Sequence, residues 1–570
     1  MTATAGLLDW LAEPRPDRGL RFRRSDGSWE RVPYPDLAGR VARRAAELAG
    51  LARGEVVALM HDTGPEFVSS FFGVLAAGGT PAPLAPAAPF GDRDAWLDHV
   101  ARAFLAGASV ALCDERFAED VRAAVARSGR PCRIVVVEPG GQDATAGTAP
   151  RPRAPLALLQ FTSGSGGASR ATRVSWDNLE ADVEMIRRWI RMGTSVGVSW
   201  LPLHHDMGLI GALLAPVLAQ ADQGLMRPEQ FIRSPLSWLQ EYDQGGGQVM
   251  AMPNFGFDYL ARRLRPQHVR GLDLSGVEVV VTGSERVRRE TLDAFLGLLT
   301  PCGLRPSAMQ PGYGLAEATL GVTGVPYGRP VPTVAVTPGP IRLGEPVRIL
   351  RTAHLDGVAP EPGEHVWHVS CGPPLDGVEV NIVAADGTHL PDGHLGEIEV
   401  AGPTVALGYV HDAPDASTRF LDGRLRTADA GFRYDGDIYV LGRIGDSMQV
   451  RGRNVYVEDI EQVLAEDIVF PWRRTVALAG YLGAEATVLI ATESGLGGRE
   501  HQVVERVGEI VGPDVTVRVI QVPQSSLEFT SSGKPRRRLM WERVLAGELA
   551  GELLAGSADP VPAARAGGGR

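Results

Sequence analysis

The chain has 570 residues, of which 44% are hydrophobic and 22% charged, with a formal net charge of −11. That length exceeds what one hydrophobic core supports and points to a soluble globular protein of at least two domains. The acidic balance argues against a general nucleic-acid binder. The four dispersed cysteines (113, 132, 302 and 371) form neither a disulfide framework nor a C-x-x-C zinc site, and fit a reducing compartment.

In chain order, residues 1–13 lack a basic leader and residues 37–51 read as an amphipathic helix. A buried strand is expected at 55–59, an apolar helix at 65–77 ending at Gly78-Gly79, and a strand at 133–137. Residues 140–155 read as a surface loop rich in Gly, Ala, Thr and Pro. Strand–helix pairs then recur: strand 156–161 with helix 177–192, strand 195–200 with helix 207–218, and strand 277–282 with helix 285–299. Such alternation implies α/β layers. Past about residue 330, short strands at 378–383, 395–401 and 437–441 are split by turns, as in a β-rich lobe. A smaller α+β unit follows, with helices at 457–464 and 500–511 and strands at 475–479, 486–491 and 515–521. The last stretch, 556–570, is rich in Ala, Gly, Pro and Arg and is expected to be a disordered tail. No apolar run reaches membrane-spanning length, and the expected location is the cytoplasm.

Of the 57 basic residues only one is a lysine, Lys534, in the turn Thr530-Ser531-Ser532-Gly533-Lys534. A lone ammonium among guanidinium groups suggests a task for a compact point charge on a flexible stem, such as holding one phosphate or carboxylate oxygen. Four further stretches carry chemistry. Thr162-Ser163-Gly164-Ser165-Gly166-Gly167 follows an apolar strand and can turn several N–H groups toward an oxyanion, or be a plain flexible loop; its spacing is not that of a Walker loop. Gly312-Tyr313-Gly314 sets a flat ring between glycines, as a purine needs, and Glu317 is either a hard oxygen for Mg²⁺ or a solvated carboxylate at a helix start. His204-His205-Asp206-Met207 joins a strand to a helix with spacing ill suited to two ligands of one metal. Asp429 could accept from ribose hydroxyls and Arg443 could donate to ribose or phosphate, or each could be part of a turn or surface ion pair.

Taken together, the order and spacing of these five stretches resemble the adenylate-forming superfamily over nearly the whole chain. The resemblance implies ATP and Mg²⁺ as cofactors and activation of a carboxylic acid to acyl-AMP with release of pyrophosphate. The implied fold is an α/β one: a large N-terminal AMP-binding domain of layered subdomains and a β-rich lobe (1–442), a hinge (443–446), and a small mobile α+β lid (447–555). Residues 162–167 become the phosphate loop, and Gly283, Ser284, Glu285, Gly312, Tyr313 and Gly314 the adenine pocket. Glu317 becomes the Mg²⁺ ligand, Thr319 a neighbour of the phosphates, Asp429 and Arg443 the ribose holders, and Lys534 the bridge between attacking carboxylate and α-phosphate. His205 falls beside the acyl site, with His204, Met207, Asn254 and Gly256 as substrate-binding residues.

Within the superfamily the chain is most similar to fatty acyl-AMP ligases. The similarity lies in Ser199-Trp200-Leu201-Pro202 leading to His205-Asp206-Met207-Gly208-Leu209, in Pro253-Asn254-Phe255-Gly256-Phe257, in Val450-Arg451-Gly452-Arg453-Asn454, and in the long segment between Pro340 and Ser370. In that family an insertion near this point restrains the small domain, and the acyl group passes to an acyl or peptidyl carrier protein. The implied oligomeric state is a monomer or weak dimer. An acyl-CoA ligase and a non-catalytic relative are the competing readings. The chain departs from the family at Ser169 (usually proline), at Ala428 (usually glycine), at His204 (usually aromatic) and at Gly445 (often charged).

Overall fold

The computed structural model describes residues 6–86, 93–140, 150–161, 170–193, 196–243, 246–337, 342–358, 365–411, 418–444, 448–450, 453–455, 457–467, 474–482, 485–513, 515–529 and 535–557. Residues 162–169, which include the expected phosphate loop, residues 445 and 446 of the expected hinge, and Lys534 lie outside them.

The expected α/β layers are present. An eight-stranded sheet runs in the order Gly321–Gly324, Met309–Gly314, Val279–Gly283, Val249–Pro253, Gly197–Ser199, Gln223–Leu225, Gly19–Arg23, Trp29–Pro33. Its six inner strands are parallel and only the two edge strands run antiparallel. A second, four-stranded parallel sheet carries Thr80–Pro83, Val56–Met60, Ala108–Cys113 and Arg133–Val136. The β-rich lobe is an antiparallel sheet in which Arg424–Tyr434 pairs with Gly396–Ala401, Arg419–Leu421 and Asp437–Arg443. The small unit carries a four-stranded sheet of Thr475–Leu482, Glu485–Thr492, Thr516–Gln521 and Glu552–Gly556.

Several elements differ from expectation for identifiable reasons. The first long helix is Tyr34–Glu47, three residues earlier than its apolar period suggests. Pro35 sits in its first turn, where a missing N–H leaves no partner unsatisfied. The helix expected at 285–299 begins only at Arg289, because the Asn254 side chain accepts the Arg288 N–H at 3.0 Å and Ser284 is left-handed at φ 65°. Residues 207–218 are helical, but Met207–Leu214 is wound as a π-helix before the α-helix Ala215–Leu218, and the Ala215 N–H reaches back five residues to the Ile210 carbonyl. Such widened turns concentrate at functional sites. Gly556, placed by its composition in the tail, closes the last strand and pairs with Arg518.

The long segment before Ser370 forms a small sheet of Pro332–Val336, Ile349–His354 and Val366–Val369. Val334, Val336 and Val366 share one buried apolar cluster with Val457, Ile460 and Val463 of the small unit's first helix, Val457–Asp467. Beside that cluster lies a buried ion network. Glu461 Oε2 accepts from Arg537 at 2.8 Å and Arg288 at 3.3 Å, while Oε1 accepts the Ala477 N–H at 3.0 Å. One carboxylate thereby ties the large domain to two elements of the small one. Removing one partner of a buried charge pair leaves the others uncompensated, at about 3–5 kcal/mol. Glu461→Ala is expected to lower the unfolding free energy of the small unit by about 3 kcal/mol, measured by denaturant titration, and to speed proteolysis between the two parts.

Candidate functional site

The site forms at the carboxyl ends of the parallel strands, where loops from neighbouring strands converge. Val279–Gly283 and Met309–Gly314 run side by side, so Gly283 and Gly312 face each other across a narrow gap. A Cβ on Gly283 would sit 3.0 Å from the Gly312 carbonyl, and one on Gly314 would strike the Leu320 carbonyl. The backbones therefore approach closely because neither position carries a side chain, and their glycines border open space beside Tyr313.

Tyr313 donates its hydroxyl to Asp429 Oδ2 at 2.5 Å, and Arg443 Nε lies 3.2 Å from Asp429 Oδ1. Asp429 and Arg443 are cross-strand partners in the β-rich lobe, so register alone sets them opposite each other. Burial, reinforced by the Asp429 charge, holds the Tyr313 phenol well above its ordinary pKa. Just before Asp429, Ala428 adopts φ 61°, and its N–H is held by Glu397 Oε1 at 2.9 Å. Glu397 is itself paired with Arg426. The methyl on residue 428 thus stands where the left-handed backbone favours glycine, at a cost of about 1 kcal/mol.

Glu317 is not a solvated carboxylate. It is buried in the 3₁₀ turn Ala316–Ala318 and accepts the Tyr409 hydroxyl on Oε1 at 2.5 Å. The Arg170 guanidinium lies over the Tyr409 ring, 5.2 Å from its centroid. Tyr409 escaped the sequence reading because it belongs to no chemical motif and reaches Glu317 only through the fold. Thr319 is buried in a tight three-residue turn with φ 67° and ψ −63°, closed by the Leu320 N–H to the Ala318 carbonyl at 2.8 Å. Its hydroxyl is spent on the Thr404 carbonyl at 2.6 Å. A β-branched residue in this turn is strained, and such strain collects at working sites.

His205 Nδ1 lies 2.6 Å from Asp206 Oδ1, which also accepts the Met207 N–H at 2.7 Å. His204 is half-buried. Burial, followed by repulsion from His205 and His99, pushes its pKa down to about 3. His99 is pushed down to about 4 by burial and then by Arg102 and Arg536. Beside Met207 opens a cavity of about 660 Å³, a volume that includes space open to solvent. Met207, Gly283, Ser284, Gly312, Tyr313 and Gly314 all border it, so one expected acyl residue, Met207, meets five of the expected adenine residues around one space. His204 and His205 do not border it, and three more expected residues are placed otherwise. Asn254 pins the turn at Arg288, Glu285 accepts the Phe255 N–H at 3.0 Å, and Gly256 packs where a Cβ would lie 2.9 Å from the Trp200 ring. None of the three lines the cavity.

Residues 8–410 match the AMP-binding enzyme family. The chain belongs to that family. It is 31% identical over 555 residues to a 4-hydroxyphenylalkanoate adenylyltransferase of Mycobacterium marinum, covering 91% of this chain and 86% of the relative. It is 33% identical over 535 residues to the long-chain-fatty-acid–AMP ligase FadD26 of Mycobacterium tuberculosis, covering 87% and 88%. A solved structure from a study of the fatty acyl-adenylate ligases of E. coli and L. pneumophila superposes with a TM-score of 0.81 at 27% identity, covering 95% of this chain and 97% of that one. This AMP-binding enzyme thus shares its whole fold, large and small domains together, with adenylate-forming ligases. Among the described residues, no helix is long and apolar enough to cross a membrane.

The two half-buried histidines, His99 and His204, give the protein an acid limb. Their folded pKa values lie below the ordinary 6.5, so the unfolded chain takes up protons first as pH falls. The part of the stability that these two histidines govern is expected to be full above about pH 6.5 and to decline toward pH 4. Thermal melts across that range check it, and His204→Gln should flatten the decline.

Proposed function

We propose that this enzyme joins ATP to an apolar, fatty-type carboxylic acid to give acyl-AMP and pyrophosphate, then hands the acyl group to the phosphopantetheine thiol of a carrier protein. The observation that carries the reading is one apolar cavity bordered by Gly283, Gly312 and Tyr313 as well as by Met207 and Gly211. One ligand can then lay its nucleotide across the strand ends and its acyl chain beside Met207. The relatives' names, which speak of adenylyl transfer and fatty acids, support the same chemistry.

In this reading a carboxylate oxygen attacks the α-phosphorus, the new C–O–P link forms, the α–β bridge breaks, and pyrophosphate leaves with the electron pair. The site residues act on charge and position. Asp429, held by Tyr313 and Arg443, accepts from the ribose hydroxyls and fixes the nucleotide's turn. His205, oriented by Asp206, lies beside the incoming carboxylate. The amides of 162–167 cradle the phosphates, and Lys534 bridges carboxylate and α-phosphate, offsetting the repulsion between two anions. Glu317 would hold Mg²⁺: it is a buried carboxylate, a hard oxygen donor, and its Oε1 is already positioned by the Tyr409 hydroxyl. When bound, the ion supplies neutralisation of phosphate charge.

Residues 443–446 act as the hinge and 447–555 as the lid that delivers Lys534. Gly442, at φ 159°, gives the chain leaving the β-rich lobe its freedom. The apolar contact of the 332–369 sheet with the helix Val457–Asp467 supports a restrained lid, and hence a carrier protein rather than free CoA as acceptor.

Pyrophosphate release with a panel of acids, followed by mass detection of acyl-carrier protein, tests the reading. Lys534→Ala is expected to lose about 100–1,000-fold in rate or more while keeping its melting temperature; near-normal acyl-AMP synthesis by that variant would falsify the role. Asp429→Ala should raise KM for ATP with a smaller change in KM for the acid. Acyl-CoA made from free CoA, with no carrier protein present, would replace the proposed acceptor.

A further inference from the structure

The cavity has a sheet floor of Val249, Ala251 and Val281, and Met207 and Gly211 face it from the π-helix. Across the third side stands Trp189, the last residue of the helix Trp176–Trp189. Gly312 and Gly324 are cross-strand partners, and both lack a side chain beneath that indole. A Cβ on Gly312 would come 2.9 Å from indole Cη2, and one on Gly324 would strike the ring itself. The indole therefore fills space that two side chains would otherwise take. Its Nε1–H donates to the Val325 carbonyl at 2.8 Å, which fixes the ring plane. On the same sheet face, Gln310 pairs in register with Val281 but does not border the cavity. The Gln310 amide donates to the same Val325 carbonyl at 3.1 Å, and its own oxygen is buried without a partner. Trp189 thus closes one side of the apolar chamber, and its indole occupies the volume over Gly312 and Gly324 that a smaller residue would leave open.

We propose that Trp189 is a specificity-determining residue that limits the reach of the acyl pocket. The pocket then takes apolar acids of medium length, straight-chain or ending in an aryl ring that meets the indole, and turns away long straight chains. Aromatic pairs add to the burial energy of such an end group. The inference rests on the reading that this cavity receives the acyl part of the adenylate. Gly211 offers the opposite control. A Cβ there meets only Leu320 Cδ2 at 3.6 Å, so a larger side chain enters the chamber without forcing backbone aside.

The experiment is acid-dependent pyrophosphate release by wild type, Trp189→Ala and Gly211→Leu, with straight-chain acids from hexanoic to stearic and a phenylalkanoic series. Wild type is expected to prefer medium-length acids. Trp189→Ala should raise kcat/KM for stearic relative to octanoic acid by about tenfold or more, with KM for ATP unchanged. Gly211→Leu should shift the preference to shorter acids. Wild type with its highest kcat/KM on stearic acid overturns the inference, as do folded variants that keep the wild-type chain-length profile. If Trp189→Ala does not fold, Gly211→Leu decides alone: a profile identical to wild type overturns the pocket limit. A wild type that releases no pyrophosphate with any acid brings down the functional reading itself, a result distinct from an active enzyme with unmoved profiles.

Discussion

Three parts of the chain meet at one carboxylate. Tyr313 comes from the large parallel sheet, Asp429 from the β-rich lobe, and Arg443 from the strand that leads out toward the small domain. Asp429 accepts from the phenol and pairs with the guanidinium, so its charge is matched on both sides before any nucleotide arrives. The arrangement needs two separate conditions: the antiparallel register that sets residue 429 against 443, and the docking of the lobe that brings Tyr313 within reach. Tyr313 in turn borders the cavity, so the same contact places one wall of the chamber.

The surroundings are built to hold backbones where side chains would not fit. Ser284, Thr319 and Ala428 all adopt positive φ without being glycine, and each lies in or beside the site. Each is secured from outside: Thr319 through Thr404, Ala428 through Glu397, and the segment after Ser284 through Asn254. Strain of this kind persists only where neighbours over-determine it. A second buried acid serves packing. Asp182, fully enclosed in the helix that also carries Trp189, accepts the Gly321 N–H at 2.9 Å, and burial holds its carboxyl well above the usual range. That bond ties the helix to the edge strand Gly321–Gly324, and so helps fix the distance between Trp189 and the glycines below it.

Much of the architecture was legible in the sequence. The parallel strands read as apolar runs, the helix Glu500–Val511 kept its expected bounds, and the shift to a β-rich lobe near residue 330 followed from turn residues and short alternating segments. The motif residues Gly283, Gly312, Tyr313, Asp429 and Arg443 do converge. What misled was local pattern without its tertiary partner. Residues 285–288 carry a helical period, yet Asn254 intercepts the Arg288 N–H from another strand end. Asn254 and Gly256 sit in a motif-like stretch, yet their side of the turn faces Trp200 and Arg288 rather than the cavity.

By itself the sequence determined the family, the α/β layering, the lone ammonium at Lys534 and the types of group available for adenylate chemistry. These depend on residue identity and short-range spacing, which a linear chain carries in full. Only the tertiary structure decided that Tyr409 holds Glu317, that Met207–Leu214 widens into a π-helix, and that the Trp189 indole lies over two absent side chains. Those facts are distances between residues some 90 to 140 positions apart or turns whose winding answers to neighbours. Packing sets them, and packing is a property of the folded chain that no local pattern encodes.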